Sequence, residues 1–128
     1  MSKNILIVED NATLSEMYKF KLELEGYSVL IKSDGLAAIT YLSNASPDLI
    51  LLDILLPGIT GFEFIEQMQK EDATFRDVPV IVFSNLNSEE DREKAHALCI
   101  RQFINKSEST VEEIALMIES VLDTYSKS

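Results

Sequence analysis

Apolar residues recur along this chain in two alternating patterns, short unbroken runs and longer stretches at helical spacing. The runs are Asn4–Val8 (NILIV), Ser28–Lys32 (SVLIK), Leu49–Asp53 (LILLD), Pro79–Ser84 (PVIVFS) and Gln102–Asn105 (QFIN). Short β-branched and aliphatic runs separated by helix-length segments predict repeated strand-helix units around a parallel sheet, and five such pairs fit. The first, third and fourth runs are apolar at consecutive positions, as strands are when helices cover both faces of a sheet. Those three strands are therefore expected at its centre.

Among the helical stretches the last is clearest. Val111, Ile114, Ala115, Ile118, Val121 and Leu122 share one face, and Ser109–Glu112 (STVE) predicts a capping box at its start. Asp123–Ser128 reads as a frayed end. The segment Ser88–Leu98 (SEEDREKAHAL) also opens on a capping signature but offers only Ala95, Leu98 and Ala97 for burial. So thin an apolar stripe predicts a weakly packed, mobile helix.

Composition narrows the class. A chain of 128 residues with 46% hydrophobic content suits one domain, and its net charge of −11 repels phosphate backbones, which argues against direct nucleic-acid binding. No apolar stretch reaches the roughly 18 residues that span a bilayer, and the start MSKNILIVED lacks the features of a signal peptide. The expectation is a cytoplasmic protein without a membrane partner. Cys99 is the single cysteine, so no internal disulfide is possible, in keeping with a reducing compartment.

The chemistry lies at the strand ends. Right-handed crossovers in an open parallel sheet leave all the carboxyl ends of the strands on one edge, where ligands bind. The first run ends in Glu9 and Asp10, the third in Asp53, the fourth in Ser84, and the fifth in Asn105 and Lys106. Three carboxylates, a hydroxyl and an ammonium are thus expected around one pocket. Carboxylates about 5 Å apart at an effective dielectric near 20 repel by roughly 3 kcal/mol per pair, so a counter-charge is needed. Lys106 supplies one, and a small hard cation such as magnesium, Mg2+, would complete it. With that charge neutralised, a carboxylate can attack phosphorus and form an aspartyl phosphate, with Ser84 donating to a phosphoryl oxygen. After Asp53 the stretch PGITG predicts a turn in which Pro57 sets one dihedral, while Gly58 and Gly61 allow backbone conformations other residues resist.

Over essentially its whole length the sequence resembles a response-regulator receiver domain, the CheY-like phosphoacceptor of two-component signalling. The residues that carry the likeness are the acidic pair Glu9 and Asp10, Asp53 followed by Pro57 and Gly61, Ser84, and Lys106, in order and at successive strand ends. The resemblance implies an α/β fold, a (βα)5 doubly wound five-stranded parallel sheet in the flavodoxin-like order 2-1-3-4-5 within three α/β/α layers. It implies that residues 1–128 form a single receiver domain without an output domain. Asp53 would be the phosphoacceptor. Magnesium would be held by Asp10, Asp53 and the backbone carbonyl of Leu55, and through water by Glu9. Ser84 would move toward the phosphoryl group while Phe103 changes rotamer, altering a surface on the fourth helix, fifth strand and fifth helix. The implied partners are a histidine kinase or phosphotransfer protein as donor and a downstream protein target. The implied role is signalling, not enzymatic turnover of a separate substrate.

Several positions depart from the family pattern. Glu9 stands where aspartate is commoner, Ser107 replaces the proline after the lysine, Asn85 replaces a very small residue, and Cys99 and Ile100 replace a Gly-Ala pair. Two other readings remain open: a receiver-like scaffold that is not phosphorylated, and a magnesium-dependent phosphohydrolase using an aspartyl phosphate. The latter resembles D-x-D at its nucleophile, whereas Asp53 is followed by Ile54 and Leu55, which carry no transferable proton. Phe103 reads equally as a switch residue and as a packing aromatic, and His96 as a surface side chain.

Overall fold

The computed structural model describes residues 3–54, 56, 58–71, 78–84, 93, 102–105 and 109–126. Five strands, β1 (Asn4–Val8), β2 (Ser28–Lys32), β3 (Leu49–Leu52), β4 (Val80–Ser84) and β5 (Gln102–Asn105), form one parallel sheet in the order β2-β1-β3-β4-β5. The described helices are α1 (Ala12–Leu24), α2 (Gly35–Leu42), α3 (Gly61–Glu71) and a C-terminal helix (Val111–Ser126). This is the expected doubly wound fold, with β1, β3 and β4 inside the sheet. The sequence-predicted helix at Ser88–Leu98 lies outside the described residues except for Glu93, which is helical and exposed.

Alternation along the strands builds two cores. Leu6, Val8, Ile50, Leu52 and Val82 face α2 and α3, meeting Ala38, Leu42, Phe64, Ile65 and Met68. Ile5, Ile7, Leu49, Leu51, Ile81 and Phe83 face the other way, meeting Tyr18 and Leu22 of α1 and Ile114, Ile118 and Leu122 of the C-terminal helix. Successive strand side chains point to opposite faces, so a central strand covered on both sides must be apolar throughout. Each such Leu, Ile or Phe contributes about 1.5–3 kcal/mol by leaving water. The Tyr18 and Phe83 rings meet edge to face, with centroids 5.3 Å apart, and tie α1 to β4.

Side-chain caps fix where the helices begin. The Leu14 amide donates to Asn11 Oδ1 at 3.0 Å, and the Ala37 amide to Asp34 Oδ1 at 2.8 Å. At the C-terminal helix the capping box lies one residue later than the sequence predicts. The Glu113 amide donates to Thr110 Oγ1 at 3.1 Å, and the Thr110 amide to Glu113 Oε1 at 3.2 Å. The STVEE segment satisfies the motif in both registers. The structure uses the later of the two, with Thr110 as the cap. The far end also differs from expectation: Asp123–Ser126 is helix, not a frayed tail. No glycine or proline interrupts it, Val121 and Leu122 anchor it, and Thr124 Oγ1 donates to the Ser120 carbonyl at 3.0 Å.

Candidate functional site

The acids meet because β1 lies between β2 and β3. The Val8↔Leu52 register sets Glu9 and Asp53 side by side just past their strands. The ladders run one step beyond the strands on both sides of β1. The Asp53 amide donates to the Val8 carbonyl at 3.0 Å, and the Glu9 amide to the Lys32 carbonyl at 3.0 Å. Backbone hydrogen bonds thus hold both carboxylate-bearing residues before any side chain contributes. One carboxylate oxygen from each of Glu9, Asp10 and Asp53 lies within 4.8 Å of the other two.

Their environments differ. Glu9 is 2% exposed and Asp53 4%, whereas Asp10 is open to solvent. Glu9 is also fixed from within its own turn, since the Asn11 amide donates to Glu9 Oε1 at 3.2 Å while the Asn11 side chain caps α1. The start of α1 and the acidic pair are therefore one structural unit. Sequence reading passed over Asn11, although an asparagine directly before a helical stretch is a cap signal.

The loop after Asp53 is anchored by apolar groups. Ile54 and Leu56 are buried and Ile59 packs on the α2/α3 core. The Ile54 carbonyl accepts from the Leu56 amide at 3.0 Å and from the Gly61 amide at 2.9 Å. A capping box then starts α3, with the Glu63 amide donating to Thr60 Oγ1 at 3.1 Å and the Thr60 amide to Glu63 Oε1 at 3.2 Å.

The two loop glycines prove unlike. Gly58 has φ +79° and open space around it, so it serves the backbone freedom expected. Gly61 does not adopt a positive φ. A Cβ on it would lie 2.6 Å from Ile54 Cα and 2.9 Å from the Asp53 carbonyl oxygen. Close approach of α3 to the Asp53 backbone is what requires glycine there, correcting the sequence-based reason. Gly35, at the start of α2, likewise sits where a Cβ would come within 2.5 Å of Ile59 Cγ1. Sequence reading missed it, because steric need at a helix start leaves no local pattern.

Of the other expected site residues, Ser84 ends β4 and pairs in register with Asn105 at the end of β5, and Phe103 is the β5 partner of Val82. The Ser84 and Phe103 side chains lie outside what is described, as do Lys106, Leu55, Pro57, Asn85, Cys99, Ile100 and Ser107. The structure thus brings together the three carboxylates and sets the backbones of Ser84 and Asn105 at the same edge of the sheet.

Oxygen donors alone make up this cluster, two of them sequestered and one exposed, and they suit a hard divalent cation that keeps some of its water. The residues present fit magnesium. Mutual repulsion of three carboxylates at such distances also needs an offsetting positive charge.

The fold and site together define a class, a doubly wound five-stranded parallel sheet with an acidic trio at its carboxyl edge. The response regulator receiver domain family matches residues 5–119, and the chain belongs to that family. It is 38% identical over 115 residues to the phosphate regulon transcriptional regulatory protein PhoB of Escherichia coli (strain K12), a match covering 90% of this chain and 50% of that protein. The chain spans about half the length of such curated relatives. Among solved structures, a CheY-like receiver domain protein from Methanospirillum hungatei JF-1 superposes with TM-score 0.91 at 27% identity, covering 99% of this chain and 98% of that one. The signal receiver domain of a signal transduction histidine kinase from Syntrophus aciditrophicus gives TM-score 0.87 at 30% identity, covering 96% and 92%. The chain is thus a receiver domain of two-component, phosphorylation-based signalling. Among the described residues, no helix is long and apolar enough to cross a membrane.

Proposed function

We propose that Asp53 accepts a phosphoryl group from a phosphohistidine on a histidine kinase or phosphotransfer protein, and that the phosphorylated domain then engages a downstream protein target. The observation that carries this reading is the position of Asp53, 4% exposed at the end of a central strand with a carboxylate oxygen within 4.8 Å of those of Glu9 and Asp10.

In the transfer, an Asp53 carboxylate oxygen forms the new bond to phosphorus as the bond from phosphorus to the donor's imidazole nitrogen breaks. That nitrogen leaves with the electron pair. Asp10 and Asp53 would hold Mg2+ directly, with the Leu55 carbonyl, and Glu9 through water. When bound, the cation offsets the charge of the carboxylates and of the incoming phosphoryl oxygens. The chain's own part is positioning. Ladder hydrogen bonds on either side of β1 and the pinned loop after Asp53 hold the nucleophile with little freedom to lose. Lys106 would balance the phosphoryl charge and Ser84 donate to one of its oxygens. The Ser84 and Phe103 positions on adjacent strands suit a path from the site to a surface on β5 and its neighbouring helices. Residues 1–128 would work as one phosphoacceptor unit in the cytoplasm, signalling and not turning over a separate substrate.

Incubation with a small phosphodonor and magnesium, followed by intact-mass measurement, tests the proposal. One phosphoryl group should add to the native protein and none to Asp53→Asn. No adduct on native protein, under conditions that label another receiver domain, would overturn it.

A further inference from the structure

We propose that Ile59, seated over Gly35, is a positioning residue for phosphoryl transfer: the start of α2 is a backstop that sets the loop leading on from Asp53. The role rests on the reading of Asp53 as phosphoacceptor. Gly35 is buried as the first residue of α2, and its backbone does not call for glycine, since its φ is not positive and helical positions ordinarily favour alanine. Ile59 is what excludes a side chain there. A Cβ on Gly35 would lie 2.5 Å from Ile59 Cγ1, 2.8 Å from its Cδ1 and 3.7 Å from its carbonyl oxygen.

Ile59 has little room to give way. It is β-branched, so moving Cγ1 takes a change of χ1 or a shift of the loop backbone. That backbone is held on both sides, by Gly58 at φ +79° before it and by Thr60, the cap of α3, after it. The side chain also packs on the α2/α3 core. Back from Ile59, the loop reaches Asp53 through Leu56 and Ile54, both buried, with the Ile54 carbonyl accepting from the Leu56 and Gly61 amides. In a packed loop of this kind a displacement at Ile59 is passed on to the nucleophile.

The backstop is itself anchored. The Ala37 amide donates to Asp34 Oδ1 at 2.8 Å, which fixes where α2 begins, and Ala38 and Leu42 bury the helix in the same core. The turn that leads into α2 also reaches the other half of the acidic trio, because the Lys32 carbonyl accepts the Glu9 amide at 3.0 Å. Gly35 follows three residues later in the chain. The passage from β2 into α2 thus contributes no carboxylate to the trio, yet it braces Glu9 on one side and the loop after Asp53 on the other. If Ile59 only filled space in the core, its removal would lower stability and leave the chemistry alone.

The test compares Ile59→Ala, Ile59→Val, Gly35→Ala and the pair Gly35→Ala/Ile59→Ala, with Leu42→Ala, about two turns along α2, as the control for lost packing. Phosphorylation by a small phosphodonor is timed on protein shown to be folded by circular dichroism, and magnesium affinity is measured separately by NMR titration without donor. Ile59→Ala and Gly35→Ala should each slow phosphorylation about tenfold and weaken magnesium binding by at least about threefold. Ile59→Val keeps the branched Cβ and should stay within about twofold of native. The pair should react faster than Gly35→Ala alone, because the added methyl then occupies space that Ile59 has vacated. Leu42→Ala should lose stability but keep the native rate and affinity. Native rates and affinities in Ile59→Ala and Gly35→Ala would overturn the backstop, as would equal losses in Leu42→Ala or a pair slower than both single variants. Should Gly35→Ala fail to fold, the Ile59 and Leu42 variants decide alone. No label on native protein would overturn the Asp53 reading and the backstop with it, whereas labelling that is indifferent to Ile59 would overturn the backstop only.

Discussion

Gly61 and Ile54 are locked face to face: the Gly61 amide donates to the Ile54 carbonyl at 2.9 Å, and a single added methyl would lie 2.6 Å from Ile54 Cα. Because Ile54 follows Asp53 directly, any relief of that clash displaces the nucleophile's backbone. Gly61→Ala should therefore lower stability by about 1–3 kcal/mol, the usual cost of overpacking, and slow phosphorylation. At Gly58, which has open space and φ +79°, the alanine cost should be about 1–2 kcal/mol and asparagine should recover most of it. Urea denaturation of Gly58→Asn and Gly61→Asn separates the cases, since only the first should approach native stability.

Thr60 caps α3 through the Glu63 amide at 3.1 Å. Thr60→Ala should cost about 1 kcal/mol, whereas Thr60→Ser should cost little because the accepting oxygen remains. Equal losses in thermal unfolding would show that the cap contributes nothing.

Carboxylate oxygens within 4.8 Å of one another should repel when no cation is bound. In chelator, Asp53→Asn should exceed the native protein in stability by roughly 1–3 kcal/mol. Magnesium should then raise the unfolding midpoint of the native protein more than that of Asp53→Asn, because binding to the folded state stabilises it by mass action. Equal shifts in both would contradict a shared cation.

Tyr27 packs half-buried against the sheet below α1, and its phenol is held above the ordinary 10.0 by burial first and then by Glu119, Glu25 and Asp123. Since the unfolded chain loses this proton before the folded one, the stabilising difference is complete below pH 10.0 and is lost as pH rises through the folded-state value. Tyr27→Phe should flatten the fall in stability in that alkaline window. Phenolate absorbance should titrate later in native protein than in urea.

The fold was legible because the central strands announce themselves. LILLD and PVIVFS have no helical period, and a strand apolar at every position requires cover on both faces. The same logic located Glu9, Asp10 and Asp53, since strand ends in a parallel sheet share an edge. Other features depend on tertiary contact. The burial of Glu9 beside an exposed Asp10 follows from the ladder to Lys32 and the turn into α1. Gly61 looked like a turn glycine because its role lies in the approach of α3 to Asp53, which no local pattern records. The capping register at Thr110 was ambiguous because STVEE offers the motif twice. The tail to Ser126 reads as frayed because it lies near the end of the sequence and is mostly polar, yet it holds no glycine or proline to break a helix.

The most direct test of the phosphoacceptor account maps the phosphoryl group to a residue. Borohydride reduction of an acyl phosphate leaves an alcohol that marks the modified side chain in peptide sequencing. After treatment with phosphodonor and magnesium, the account predicts that mark at Asp53 alone and its loss in chelator. A mark at Glu9, at Asp10 or elsewhere, or one that persists unchanged without the cation, would contradict it.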